Sequence, residues 1–173
     1  SVSLVGSRAL KERNRRFARE VGIQAAKQGF ALISGNARGA DSAAQDACLE
    51  AGGYVVSVLA DSLNEYCPDA HRLYLSEDDY DECFSVLRAL HRNRVIHALS
   101  DGVFVAQCTL ERGGTWDGSV QNLRKRWSNL YCFRDGSPAA DALAQMGAFL
   151  IDEKMLADFR ALPTRQPSLF HMR

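Results

Sequence analysis

The stretch "ALISGNARGADSAAQDACLEAGG", residues 31–53, contains an apolar run, a turn with two glycines around Arg38, and an alanine-rich segment that ends at Gly52-Gly53. The apolar run predicts a buried strand, and the paired glycines are typical of the end of a helix. Glycines let backbone N–H groups approach a ligand, and a helix start adds a partial positive charge. The stretch therefore predicts an anion site between a strand and a helix, with Asp41 as the helix N-cap.

Strands and helices alternate on both sides of this stretch. The predicted strands are 2–5, 30–33, 54–59, 102–108 and 129–133, with a further edge strand at 149–152. The predicted helices are 11–28, 41–51, 83–100, 119–127 and 139–146, and a short helix near 69–74 interrupts an irregular middle segment. In helix 83–100 the inward positions are expected to be Leu87, Leu90, Ile96 and Leu99. This alternation predicts an α/β fold with a mostly parallel, doubly wound sheet and helices on both faces.

Composition excludes several classes of protein. The 173 residues are 46% hydrophobic and 24% charged, as in an ordinary globular domain, and there is no membrane-spanning apolar run or secretory leader. The five cysteines are odd in number and form no CxxC, which favours free thiols in a reducing cytoplasm over disulfides. Cys67 and His71 have a spacing that suits a metal, but no second pair accompanies them. We therefore predict a cytoplasmic protein with no metal and no cofactor.

Charge is balanced overall but unevenly distributed. The net charge is zero, so the overall charge does not indicate nucleic-acid binding. Residues 8–20 are nevertheless basic, and residues 77–82 are mostly acidic. The basic segment by itself is interpreted as a solvated helix face.

Three turns at one edge of the predicted sheet are rich in Gly, Ser and Arg. They follow the first, second and fourth strands, and the carboxyl ends of parallel strands form the edge where ligands bind. Arg8 and Arg38 are suited to charge-assisted contacts with phosphate oxygens. The candidate residues in these turns are Gly6, Ser7, Arg8, Ser34, Gly35, Asn36, Arg38, Gly39, Asp41, Gly113, Gly114 and Thr115. Ser7 and Ser34 have no histidine partner in sight, so the pattern indicates a binding site and predicts no catalytic residue.

Two further features leave alternatives open. The run Arg92-Asn93-Arg94 near a helix end is either a solvated polar face or a set of donors that anchors the neighbouring loops, and we favour the anchoring role. Trp116 either stacks on a base or covers the end of the sheet.

The segments "VGSR", "ISGNARGADSAAQDACLEAGG", "VLADSLNEYCP", "HRNRVIHALSD" and "GGTWDGS" occur in the same order as in the DNA-processing DprA family, which the chain resembles over residues 2–152. The resemblance implies a Rossmann-like domain at 1–152, followed by a C-terminal helix or tail at 153–173. It also implies a homodimer that binds single-stranded DNA in natural transformation and passes it to a RecA-type recombinase. In that family Arg8 and the loop 34–41 would line the strand-binding pocket, with Arg94 and residues 113–115 beside it.

The same resemblance extends to the related lonely-guy nucleotide-processing proteins and keeps a second hypothesis open. In this hypothesis the pocket binds a free nucleotide, as a sensor or as a nucleotide N-glycosidic hydrolase. Gln121 lies near the place of the catalytic glutamate of those enzymes, which favours binding without turnover. The DNA hypothesis adds stacking of bases on Trp116 or Tyr54.

Overall fold

The computed structural model of the protein describes residues 1–165 and contains one seven-stranded sheet. The strands are β1 (Val2–Val5), β2 (Leu32–Ser34), β3 (Val55–Val58), β4 (Arg72–Leu75), β5 (Gly102–Val105), β6 (Asn129–Phe133) and β7 (Phe149–Ile151). The α-helices are α1 (Glu12–Lys27), α2 (Ala40–Glu50), α3 (Val86–Ala98), α4 (Gly113–Lys125) and α5 (Pro138–Met146). The predicted α/β fold with a doubly wound sheet is confirmed, and all of its strand pairings are parallel.

The strand order β4-β3-β2-β1-β5-β6-β7 reverses between β1 and β5. The chain runs outward from β1 to β4, returns beside β1 as β5, and then runs outward on the other side. Loops that follow β1 and β5 therefore leave the sheet in opposite directions, which opens a crevice at their carboxyl ends.

Helices cover both faces of the sheet. On one face, α1 and α2 bury Phe17, Val21 and Ala44 against Leu4 of β1. The other face carries α3, α4 and α5, which pack against Val5 and its neighbours because successive strand side chains point to opposite faces. The basic segment at 8–20 lies mainly on α1, whose arginines at 13, 15 and 16 are exposed, so its interpretation as a solvated helix face is confirmed.

Apart from shifts of up to three residues in other bounds, such as β5, which ends at Val105 and not at residue 108, three predicted elements differ from the structure. Residues 72–75 form the edge strand β4, paired with β3, and not a helix. The helix α4 begins at Gly113 instead of residue 119, so the double glycine forms its first turn. In α3 only Ile96 of the four expected inward positions is buried, while Leu87, Leu90 and Leu99 are exposed. Helical periodicity places side chains on one stripe, but it does not say whether another element covers that stripe.

The C-terminal segment packs on the α1 face. Two short 3₁₀ helices, Glu153–Ala157 and Phe159–Ala161, bury Leu156 and Phe159, and Leu162 is buried as well. The division after residue 152 stays a prediction, and residues 166–173 of the expected tail lie outside the described residues. Within residues 1–165 no helix combines the length and apolar character needed to cross a membrane.

Candidate functional site

A cavity of about 430 Å³ lies at the carboxyl edge of the sheet, where the turns after β1 and β5 diverge. Residues of all three glycine-containing turns line it. The predicted site residues in its wall are Gly6, Ser7, Arg8, Asp41, Gly113, Gly114 and Thr115. The structure therefore brings the three turns to one place.

The turn after β1 joins the two sides of the crevice. The Ser7 N–H donates to the carbonyl of Gln107 at 2.9 Å, and the Ser7 carbonyl accepts from the Ala40 N–H at 3.2 Å. Arg8 follows with an exposed side chain. Within residues 1–165 its guanidinium has no hydrogen bond and no ion pair, so it is available to an anion in the cavity.

Asp41 has a different role from the predicted N-cap. The N-cap is Gly39, and Asp41 is the second residue of α2. Its carboxylate reaches back across the loop and accepts from the N–H groups of Gly35 at 3.1 Å and Ala37 at 3.2 Å. The Gly39 N–H donates to the Ser42 hydroxyl. Because these backbone donors already have acceptors, the predicted backbone phosphate cradle in this loop is not confirmed.

The loop packs tightly against the β1 turn at Gly39. Its φ of +90° lies in the region that favours glycine, and a Cβ there would collide with the carbonyl oxygen of Arg8. Glycine at this position therefore permits the close contact between the two turns.

Burial controls the ionisation of Asp41. Burial raises the pKa of Asp41 from 3.8 to about 6, and this effect is opposed by the Arg92 guanidinium and by the N–H groups of Ala37 and Gly35. A group with this pKa changes charge close to neutral pH, inside the cavity wall.

The other predicted residues of the loop lie outside the cavity lining. Ser34 is fully buried and its hydroxyl accepts from Gln45 Nε2 at 2.6 Å. Asn36 adopts a left-handed conformation with φ of 57°, and Arg38 is exposed at the surface of the loop. Of these three, Arg38 alone offers an exposed positive charge near the site.

The Arg92-Asn93 pair fastens the loops to α3. Arg92 is buried and donates to the carbonyls of Gly35 and Val58, and Asn93 donates from Nδ2 to the carbonyl of Gly114 at 3.1 Å. The anchoring role that we favoured for this run is confirmed for these two residues. Arg94 points elsewhere: it lies outside this cavity and pairs with Glu77 at 2.8 Å.

The start of α4 supplies open backbone donors. The first N–H groups of a helix have no acceptor inside the helix, and within residues 1–165 the N-cap residue Arg112 provides no side-chain cap. Gly113, Gly114 and Thr115 therefore present N–H groups and the positive helix end to the cavity.

The two aromatic residues proposed for stacking lie elsewhere than that hypothesis requires. Trp116 is only 9% exposed, packs in the core and does not line this cavity, although part of it lines a second concavity between α3 and α4. Tyr54 precedes β3, at the amino edge of the sheet, and stacks on His71 with ring centroids 5.0 Å apart.

Sequence reasoning missed the wall of the cavity that α3 and the two residues before it provide. Phe84, Val86 and Leu90 form an apolar side, and His97 lies at the base. His97 is 1% exposed, burial lowers its pKa to about 4, and neither ring nitrogen has a hydrogen-bond partner among residues 1–165. The site thus combines exposed cations, open backbone donors, an apolar wall and a neutral histidine. The glycines of the turns predicted a site at the carboxyl edge of the sheet, but no sequence motif predicted this wall.

The sequence profile of the DNA recombination-mediator protein A family matches residues 1–124. The chain belongs to this family. Among curated members, the DNA processing protein DprA of Streptococcus pneumoniae is 30% identical over 91% of this chain and 61% of its own length. The family is therefore established for the Rossmann-like domain, while the chain spans about three fifths of that relative.

Solved structures agree with this assignment. The crystal structure of DprA from Streptococcus pneumoniae superposes with a TM-score of 0.74 and 28% identity, over 87% of this chain and 58% of that one. DNA processing protein A from Helicobacter pylori, whose structure describes a single-stranded DNA binding mode, gives a TM-score of 0.74 at 21% identity, over 90% and 77% of the two chains. At this identity the second similarity shows the fold.

Proposed function

We propose that this domain binds single-stranded DNA at the cavity between the β1 and β5 turns, in DNA processing during natural transformation. The observation that carries the proposal is the pair of exposed arginines, Arg8 and Arg112, at the mouth of a cavity of about 430 Å³ in a member of this family. The single-stranded DNA binding described for the Helicobacter pylori relative supports it.

The chemistry of the cavity suits a nucleotide unit of a strand. Arg8, Arg112 and the open N–H groups at the start of α4 can contact phosphate oxygens. Phe84 and Leu90 offer apolar surface to a base, and single-strand binding combines such surface with positive charge. The net charge of zero does not oppose this, because the local potential around the cavity determines where a phosphate binds.

Fluorescence anisotropy with labelled oligo-dT tests the proposal over a series of salt concentrations. We expect Arg8→Ala to weaken binding and to reduce the slope of log affinity against log salt by about 0.7, the value for one phosphate contact on a single strand. Arg16→Ala is the matched control, because Arg16 is an exposed arginine on α1 outside the cavity lining. Wild-type protein without salt-sensitive binding, or equal effects of the two variants, would contradict the proposal.

A free nucleotide is the second candidate ligand. The cavity is lined on several sides and has a volume within the range of small-molecule pockets. Thermal unfolding with nucleoside monophosphates and with oligo-dT separates the candidates. Stabilisation by a monophosphate alone favours a sensor, and release of free base would show hydrolase activity as well. Gln121 lies near the place of the catalytic glutamate of the lonely-guy enzymes, which favours binding without turnover.

We also propose, from the family, that the domain works as a homodimer that passes the strand to a RecA-type recombinase in the cytoplasm. The five cysteines are all free thiols, as is usual in a reducing compartment. Sedimentation analysis of the protein tests the dimer, and co-precipitation with a RecA-type recombinase in the presence of oligo-dT tests the transfer partner.

A further inference from the structure

The N-terminal half of α3 and the residue pair before it carry apolar side chains that face outward. Phe84, Val86 and Leu87 are 53%, 69% and 61% exposed, and Leu90 is 42% exposed. A run of large exposed apolar side chains on one helix is uncommon on a surface without a binding partner. This half of α3 therefore needs an explanation beyond its role in the fold.

A second concavity, which we name the α3–α4 groove, begins at these side chains. It has a volume of about 650 Å³ and runs between the two helices. On α3 it is lined by Leu87, Leu90, His91 and Arg94, which share one stripe because they are three or four residues apart. It meets the DNA cavity at Leu90 and Gly114, which line both.

Two arginines in the lining of the α3–α4 groove can contact phosphate oxygens. Arg94 and Arg124 lie on its opposite sides, and Asp117 is the one carboxylate in its lining. Arg124 is exposed and makes no ion pair within residues 1–165. Arg94 pairs with Glu77 through Nη2 at 2.8 Å and Nε at 3.2 Å, but its side chain remains 57% exposed. An exposed ion pair of this kind is weak enough for a phosphate to replace the carboxylate.

We propose that the α3–α4 groove is a second subsite for single-stranded DNA, into which a strand continues from the DNA cavity past Leu90 and Gly114. Arg124 and Arg94 contact its phosphates, and Leu87 and Leu90 contact the faces of its bases. Glu77 holds Arg94 until the strand arrives and then releases it. This inference rests on the proposed function of the DNA cavity, since the groove extends the same strand.

The length of the groove sets how much strand it holds. From Gly114 to Arg124 the α4 side is about 15 Å long at 1.5 Å per residue, which corresponds to about four stacked nucleotides at 3.4 Å each. An oligonucleotide of about two residues fits in the DNA cavity and its mouth, whereas one of about 12 residues also fills the groove.

Arg124→Ala tests the subsite with these two oligo-dT lengths. We expect the affinity for the longer oligonucleotide to fall about threefold to fivefold, with a salt slope smaller by about 0.7, and the affinity for the shorter one to stay the same. Lys125→Ala is the matched control, because Lys125 is the next residue on α4, is also exposed and does not line the groove.

Glu77→Gln tests the release of Arg94. We expect it to raise the affinity for the longer oligonucleotide about threefold, because Arg94 no longer has to leave a carboxylate. Asp81→Asn removes the same charge from the same acidic segment, and the Asp81 side chain has no ion pair within residues 1–165. An equal gain from both variants would assign the effect to general repulsion and contradict the release step.

The results also separate this inference from the function on which it rests. If Arg8→Ala weakens both oligonucleotides while Arg124→Ala and Lys125→Ala behave alike, the DNA cavity is right and the groove subsite is wrong. If Leu87→Asp changes the sedimentation of the protein and leaves binding of the longer oligonucleotide intact, the groove is an interface between copies and the subsite is again wrong. Absence of binding by the wild type to either oligonucleotide overturns the proposed function itself.

Discussion

Replacing Asp41 with asparagine tests the arrangement at the start of α2, because the change removes a buried ionisable group and keeps an oxygen that accepts hydrogen bonds. The pKa of Asp41 is about 6 in the folded protein and 3.8 ordinarily. Between these values the folded protein holds a proton that the unfolded chain releases. The free energy of unfolding of the wild type therefore contains a contribution that is complete below 3.8 and is lost as pH rises through 6.

The magnitude follows from the two pKa values. The interval from 3.8 to about 6 corresponds to about 3 kcal/mol, at about 1.4 kcal/mol per pH unit. Asp41→Asn carries no such proton. Relative to the variant, the wild type should lose about 3 kcal/mol of unfolding free energy between about pH 4 and pH 7.

Urea unfolding of both proteins at several pH values, followed by tryptophan fluorescence, measures this difference. The comparison with the variant is essential, since the lowered pKa of His97 contributes a slope of opposite sign in the same pH range. Asp46→Asn is the control, because Asp46 is exposed on the same helix. A difference in unfolding free energy between the two proteins that stays constant with pH refutes the reasoning. A wild type whose unfolding free energy rises relative to that of the variant as pH rises also refutes it, and would mean that Arg92 keeps Asp41 ionised.

Three further predictions concern the walls of the cavity. Gly39→Ala should lower the free energy of unfolding in urea by about 3–5 kcal/mol, because its φ is positive and its Cβ would collide with the neighbouring turn. Gly113→Ala should lower it by only about 1–2 kcal/mol, because φ is +83° but no atom lies within 4 Å of the added Cβ. Equal losses would contradict the close contact at Gly39. Arg92→Met should destabilise the protein by about 3–5 kcal/mol in thermal unfolding, whereas Arg38→Met, at an exposed arginine, should destabilise it by less than about 0.5 kcal/mol. A mild effect of Arg92→Met would rule out the anchoring role of Arg92. As pH rises from about 4 to 6.5, the wild type should gain about 3 kcal/mol of unfolding free energy relative to His97→Leu, since the opposite contribution of Asp41 is common to both proteins. A wild type that makes no such gain over the variant would show that His97 is not buried and neutral.

The local spacing of apolar residues predicted the elements that bury one regular stripe of side chains. The helix α1 was recognised because Phe17, Val21 and Ala25 recur at helical spacing and are all buried. The strand β4 was missed because it lies at the sheet edge, where Arg72, Tyr74 and Leu75 are only partly buried and the apolar alternation is weak. Its strand conformation depends on hydrogen bonds to β3, a partner that the local sequence does not specify.

The candidate site was predictable at its edge and not in its detail. Glycine-containing turns after parallel strands indicate where a ligand binds, and the residues of these turns do meet at one cavity. The function of Asp41 depends on the path of the loop before it, because a carboxylate in the first turn of a helix can accept from either direction. The wall formed by Phe84 and His97 comes from α3 and the segment just before it, which are distant in sequence from the turns, so only the three-dimensional packing reveals it.

The adjacent residues Arg92 and Asn93 give α3 a mechanical role. One side chain is bonded to the loop after β2 and to the end of β3, and the next is bonded to the first turn of α4. A rotation or shift of α3 must therefore displace the loop after β2 and the first turn of α4 together. Because Arg92 also bonds to the carbonyl of Val58, α3 is fastened to the sheet as well as to both loops. A contact made on the outer side of this helix therefore acts on the loop after β2 and on the first turn of α4 together.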